Sequence, residues 1–506
     1  MNPGMNQQVT PKMTAVIDVS FHTYMKKNSN RMKNKILYLL IGILTIGVSS
    51  CNMNTDPYTS IPTEDAFKSV QDIDNAKNGV YSALGGSSFY GRNVIAVGDM
   101  SADLGLASSS SGHFVAVNTW AVNENTAELA NIWSSGYTLI DRSVRGINGA
   151  KKLLSDNSNL SGNEKDIVNG AISQMYALRA FSTFMMTNLF GLPYKAGEAN
   201  SQLGVVIVDT KPIEPFDDVQ RSTVAECYDF ILKDIANAHE YMTLLSAGAK
   251  SAISEFYMNE AAIYALEARV KLYMQDYVGA KAAAKKSLEL RGAGEETFES
   301  YVSMWKSTAI TNEDIFTISK SEADNLSANA LNTLYGSYRA TMTNFTKSLF
   351  GENDIRLGLF ASNRPLKFAG TATAAAVSNI PVFRVSEMYL IVAEAEAADQ
   401  SGTVAAAQEA LLFSAKRNKD ITTVADLPAT KEELLTFIAN ERIRELFQEG
   451  HRYYDLRRTG AAATINNKPN FVLANTVFPI PADEINALGG VNESQQNPNW
   501  AANFPN

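Results

Sequence analysis

The feature that most constrains this chain is the spacing of its apolar residues. The segments ANIWSSGYTLIDRSVRGINGAKKLL, NGAISQMYALRAFSTFMMTNLF, TVAECYDFILKDIANAHEYM, MNEAAIYALEARVKLYMQDYVGAKAAAKKSLEL, SEMYLIVAEAEA and TKEELLTFIANERIRELFQEG place them at i, i+3, i+4 and i+7, which is the period of one helix face. Strand-like alternation is rare, so a mainly α fold is expected. Helix ends are marked too: Gly191-Leu192-Pro193 stops one helix, and Gly450 and Gly460 frame another boundary, as residues that cannot continue the regular turn do.

Between residues 264 and 290 the run Asp276-Tyr277, Ala280, Ala284, Ser287 resembles the second helix of a tetratricopeptide repeat, whose small residues let two helices pack closely. No strict period recurs. The expected architecture is therefore degenerate tetratricopeptide-like helix pairs, an α-α superhelix, carrying long irregular insertions at 85–123, 193–221, 291–380 and 461–506. Those insertions are richer in Gly, Ser, Asn, Thr and aromatics, and loops on a rigid scaffold are where binding residues concentrate.

With 45% hydrophobic and 19% charged residues the chain can bury a large core, and a net charge of −9 argues against a nucleic-acid partner. Its two cysteines, Cys51 and Cys227, exclude a disulfide scaffold and a Cys-rich zinc site. Cys227 sits in a helical pattern without an adjacent basic cluster and reads as a buried structural thiol. The histidines are His22, His113, His239 and His451.

The N-terminus reads as an export signal. A basic stretch from Met25 through Arg31, Lys33 and Lys35 precedes an apolar run at residues 36–48, too short to span a bilayer but matched to the apolar region of a signal peptide. Val48-Ser49-Ser50-Cys51 then resembles the bacterial lipoprotein box, which implies acylation of Cys51. Residues 1–50 are thus expected to be a signal peptide, of which 1–24 precede the true start, and 51–63 a lipidated tether. Loss of residues 1–50 removes six basic residues and one acidic one, leaving 38 − 52 = −14. Regions 64–250 and 251–506 are expected to pack as one unit.

The densest charged string is Asn440-Glu441-Arg442 through Arg458. Glu441, Glu445 and Glu449 share a helical face, and Glu441–Arg444 and Arg442–Glu445 are i, i+3 pairs worth about 0.2–0.5 kcal/mol each. A helix end locked by ion pairs is the expectation here. The competing reading is catalytic, since Glu445, Glu449, His451 and Asp455 lie close in sequence. No G-x-S-x-G, H-E-x-x-H or P-loop pattern occurs; no cofactor and no metal site is expected, with loop-bound calcium left open.

ANERIRELFQEGHRYYDLRRTG closely resembles the signature of the SusD/RagB family of outer-membrane nutrient-binding lipoproteins. The likeness continues in PTEDAFKSVQDIDNAKNGVYSAL, in Trp133, Tyr137 and Asn148, in YALRAFSTFMMTNLFGLPY, in the segment from Arg384 through Glu387 to Glu394, and in VFPIPADEINALGG with QQNPNW, covering about 51–506 in order. The resemblance implies a lipid-anchored protein on the outer face of the outer membrane, forming a lid over a SusC-like TonB-dependent transporter and capturing oligosaccharides, or peptides in RagB-like members, without catalysis. A surface glycosidase and a purely structural partner of the barrel are the rivals. For a sugar, aromatic planes with amide and charged partners are needed. Trp120 with Asn123 is the first candidate pair, Trp305 with Tyr335 or Tyr338 the second, while Trp133 and Trp500 are expected in the core.

Overall fold

A computed structural model of the chain describes residues 66–498 apart from 215, 293 and 371–375. The signal peptide, Cys51, the tether and Trp500 lie outside the described residues. Helices α1 (Val70–Leu84) and α2 (Asn93–Met100) lead into α3 (Ala127–Asp156), α4 (Gly162–Phe190) and α5 (Val224–Thr243). Three of these start on capping boxes, in which the Ser69, Ser161 or Thr223 side chain and the acidic residue three places on each bond the other's backbone N–H. The second half contributes α6 (Glu260–Tyr273), α7 (Tyr277–Arg291), α8 (Val385–Ala398), α9 (Val404–Ala415), α10 (Lys431–Leu446) and α11 (Arg452–Arg458).

Successive helices pack as neighbours: α3 with α4, α4 with α5, α6 with α7, α8 with α9, and the last two pairs join through α7 against α8. The helical expectation is met, in the tetratricopeptide-like form. Helix α4 is buried from Gly170 to Phe190 without a break, polar residues such as Arg179 and Asn188 included, so it is covered on every side rather than amphipathic. Its approach to α3 is close: a Cβ on Gly136 or Gly146 would stand 2.5 Å from the sulfur of Met186 or Met175. The α6–α7 hairpin closes as its spacing predicts, with Ala280, Ala283, Ala284 and Ser287 buried and the Ser287 hydroxyl donating to the Ala261 carbonyl at 2.8 Å. Cys227 is buried, and burial pushes its thiol up.

Two strands, β1 (Asp314–Ile318) and β2 (Ile380–Arg384), form an antiparallel pair that touches α6 and runs directly into α8. The signature turns at Gly450, whose φ of +80° suits glycine. Here two backbones cross with no room between them. A Cβ on Gly98 of α2 would lie 2.0 Å from the Gly450 carbonyl oxygen, and one on Gly450 would lie 2.7 Å from the Ile95 Cα. Gly98→Ala is expected to cost about 1–3 kcal/mol in denaturant unfolding. Gly79→Ala, on α1 with nothing within 4 Å of its would-be Cβ, should be neutral or stabilising; equal effects from both substitutions would contradict the crossing.

Candidate functional site

The signature segment closes over a buried group of charges. Arg356 is fully buried and donates to Asp354 at 2.7 and 2.9 Å, to Glu441 at 2.6 Å and to Glu445 at 3.1 Å. Arg384 holds Glu449 at 2.7 and 2.8 Å, Glu313 at 2.7 Å and Glu445 at 3.1 Å. Arg417 reaches Glu313 and Glu445, both at 2.7 Å, and Lys367 donates to Glu449 at 2.6 Å. Arg444 joins Glu441 at 2.7 Å. Five carboxylates (Glu313, Asp354, Glu441, Glu445, Glu449) thus meet five cations (Arg356, Lys367, Arg384, Arg417, Arg444). Balanced pairing is what makes such burial tolerable. Burial alone would raise Glu445, yet Arg417, Arg384 and Arg356 hold it well below the usual carboxylate range.

This corrects one local expectation. Glu441–Arg444 forms, but Arg442 bypasses Glu445 and donates to Asp455 at 2.8 and 3.1 Å, while Arg458 bridges Asp455 and Glu394. Glu441–Arg444 and Asp455–Arg458 remain i, i+3 pairs, but Arg442–Asp455 and Arg458–Glu394 join separate elements and are buried, the turn at Gln448–Gly450 bringing Asp455 of α11 to Arg442 of α10. For the catalytic reading the consequence is direct: Glu445, Glu449 and Asp455 are spent on arginine and lysine, and His451 is buried.

Two further cations fix the loops outside the network. Arg452 clasps Asp103 at 2.7 and 2.8 Å, and Lys468 donates to the Gly105 carbonyl at 2.7 Å. Gly105–Leu106 pairs with Thr341–Met342, and the Thr343 N–H donates to Leu104 O at 2.8 Å. Two insertions distant in sequence are thereby zipped together. On their outer side the His113 imidazole stacks on Tyr338, centroids 3.9 Å apart and planes 24° from parallel. The next residue, Phe114, takes a φ of +56°, and its N–H donates to Glu128 at 3.1 Å. Arg92 lies over the Phe114 ring at 5.5 Å and donates to Asn329 at 2.9 Å. Burial lowers the Arg92 pKa, and Glu128 partly offsets this. Stacked rings beside amide and guanidinium groups, all half-buried or exposed, can hold a flat, hydroxyl-rich ligand.

Of the residues singled out from sequence, three lie beneath the surface. Trp120, 3% exposed, donates to Ser101 O at 2.9 Å and stacks on Phe478 at 5.4 Å. Trp305 roofs the charge network, 4.5 Å from the Lys367 ammonium and 5.1 Å from the Arg384 guanidinium. Tyr335 is 1% exposed. Asn123 is exposed, but its side chain accepts from Asn125 N–H in the turn before α3. Tyr338 alone joins the outer cluster. His113, Arg92 and Asn329 carried no signal beyond lying in the insertions, since their grouping depends on the 105–106 to 341–342 pairing. Trp133 is buried as expected, donating to Glu484 at 3.0 Å.

Burial, with Arg269 and Arg442 nearby, holds the His451 imidazole well below its ordinary pKa. A depressed histidine contributes stability that is full above its unfolded pKa of about 6.5 and is lost as the pH falls toward the folded value. The stability lost in His451→Gln should therefore be larger at about pH 8 than at about pH 5. A gap that widens on acidification in thermal melts would contradict the assignment.

Comparison with known proteins agrees with this architecture. The family described as "SusD family" matches residues 362–500, and "Starch-binding associating with outer membrane" matches 53–272. A SusD superfamily protein from Bacteroides vulgatus ATCC 8482 superposes with a TM-score of 0.72 at 27% identity, covering 86% of this chain and 100% of that one. One from Bacteroides thetaiotaomicron VPI-5482 gives 0.74 at 24%, covering 85% and 100%. SusD-like protein P2 of Formosa agariphila is 26% identical over 42% of this chain and 38% of its own length, so the match spans well under half of that relative. SusD-like protein P38 of the same organism is 22% identical over 87% and 93%. With two SusD family models matched across 53–272 and 362–500 and the fold in agreement, the chain belongs to the SusD/RagB family.

Proposed function

We propose that this protein captures oligosaccharides at the cell surface and passes them to a SusC-like TonB-dependent transporter, without catalysing a reaction. The observation that carries this reading is the His113–Tyr338 stack with Arg92 and Asn329 beside it. Ring faces serve the apolar side of a pyranose, and the guanidinium and amide serve its hydroxyls. Two findings support it: the matching family description names starch binding and outer-membrane association, and a laminarin-binding SusD-like protein shares the fold with a TM-score of 0.66 at 19% identity, covering 86% of this chain and 100% of that one. Anchoring through acylated Cys51 and an outward-facing position complete the proposal. No described helix is long and apolar enough to cross a membrane.

Affinity electrophoresis in gels containing starch, laminarin and a panel of other polysaccharides tests the reading. The wild type should be retarded by at least one glycan, and His113→Ala and Tyr338→Ala should each weaken that retention at least tenfold with the melting temperature unchanged. Trp120→Ala, by contrast, should cost about 3–5 kcal/mol of stability, as removal of a buried Trp does. Retention of none of the glycans, with capture of peptides from a casein digest, would favour a peptide-binding member. New reducing ends appearing during incubation would indicate a glycosidase.

A further inference from the structure

A second cleft is joined to the His113–Tyr338 cluster by two short turns of chain. It has a volume of about 420 Å³, within the range of small-ligand pockets, about 300–1,000 Å³. It opens between α1 and the end of β1, bordered by Asn78, Ser82, Tyr257 and Lys320. The half-buried Tyr257 ring is braced edge-on by Tyr81 at 5.2 Å, and the Tyr81 hydroxyl is itself fixed by Gln174 and the Met258 N–H at 2.8 and 2.7 Å. Lys320 has a side chain only 5% exposed, and its ammonium meets the exposed carboxylate of Asp324 at 3.2 Å. A braced aromatic ring with a donor and an acceptor at the mouth is the chemistry that holds a sugar ring.

The cleft and the outer cluster share both of their connecting segments. Gly85 and Gly86 line the cleft, and the tight turn they begin, where a Cβ on Gly91 would stand 2.4 Å from the Gly85 carbonyl, delivers Arg92 to the cluster. Leu326 lines the cleft on the other side, and the turn closed by Asn329 N–H to Leu326 O at 2.7 Å presents the Asn329 side chain to Arg92. Two other clefts have similar volume. Neither is lined by the 85–92 or 326–329 turns that lead to the outer cluster: one is lined by Arg442, Asp455, Glu394 and Arg458, and the other, mainly apolar, by residues between 137 and 219 and between 484 and 490.

We infer that the Tyr257–Lys320 cleft is an extension subsite, which takes further sugar units of an oligosaccharide whose first units lie on His113 and Tyr338. This rests on the glycan-capture reading above. The continuous turns 85–92 and 326–329 make the two positions one path, so affinity depends on ligand length.

Isothermal titration with a ladder of oligosaccharides, cut from whichever polysaccharide retains the wild type, tests this. Wild-type affinity should rise at least tenfold along the ladder. Ser82→Trp, which fills the cleft from an exposed helix position, and Tyr257→Ala should both remove that rise while leaving the shortest bound ligand unaffected; Tyr338→Ala should weaken every rung. If Ser82→Trp binds every length as the wild type does, or loses the shortest ligand as well, the extension subsite is wrong and glycan capture stands. If no polysaccharide retains the wild type, both fall together.

Discussion

The carboxylate of Glu445 is the point on which the rest of the structure depends. It is fully buried, accepts from Arg356, Arg384 and the Tyr301 hydroxyl, and forms an ion pair with Arg417. Those partners come from four separate stretches of chain, so one carboxylate ties the insertion between α7 and α8 to α10. Breaking such a pair by removing one partner leaves a buried charge uncompensated, at a cost of about 3–5 kcal/mol. The network's contribution is positional: it fixes Glu445 and Glu449, just before the Gly450 that sits on Gly98, and the nearby Arg452, with Lys468, holds the turn at Asp103–Gly105 from which the outer loops are built.

Sequence periodicity revealed the helix pairs because local apolar spacing and tertiary packing agree in them. The breaks at Gly191, Gly450 and Gly460 are local features, and helices stop or start beside them as the sequence marks. The signature was legible as scaffold, yet its partners were not. An i, i+3 rule pairs Arg442 with Glu445, whereas the fold offers Glu445 three arginines from outside the helix and gives Arg442 to Asp455. Local pairing yields when distant charges must be neutralised in the same interior.

The proposed ligand face was the least legible part. Ranking aromatics by size and by their place in an insertion selects Trp120 and Trp305, but large rings in insertions are also what packs those insertions onto the body. Trp120 stacks on Phe478 beneath its loop and Trp305 covers Lys367 and Arg384. The smaller rings of His113 and Tyr338 remain outside. Their meeting follows from a two-residue strand pairing between segments more than two hundred positions apart, a contact with no periodic signature. The insertions named the region, and only the tertiary pairing names the residues.

In this account an interior of paired charges makes the helical body rigid enough to present irregular loops as a preformed binding face. The measurement that tests it most directly is amide hydrogen exchange of the wild type against Arg384→Met. The account predicts faster exchange in residues 101–119 and 331–348, with α4 and α5 keeping their protection. Loops that exchange as in the wild type would show that the charge network does not hold the binding face, and would contradict the account.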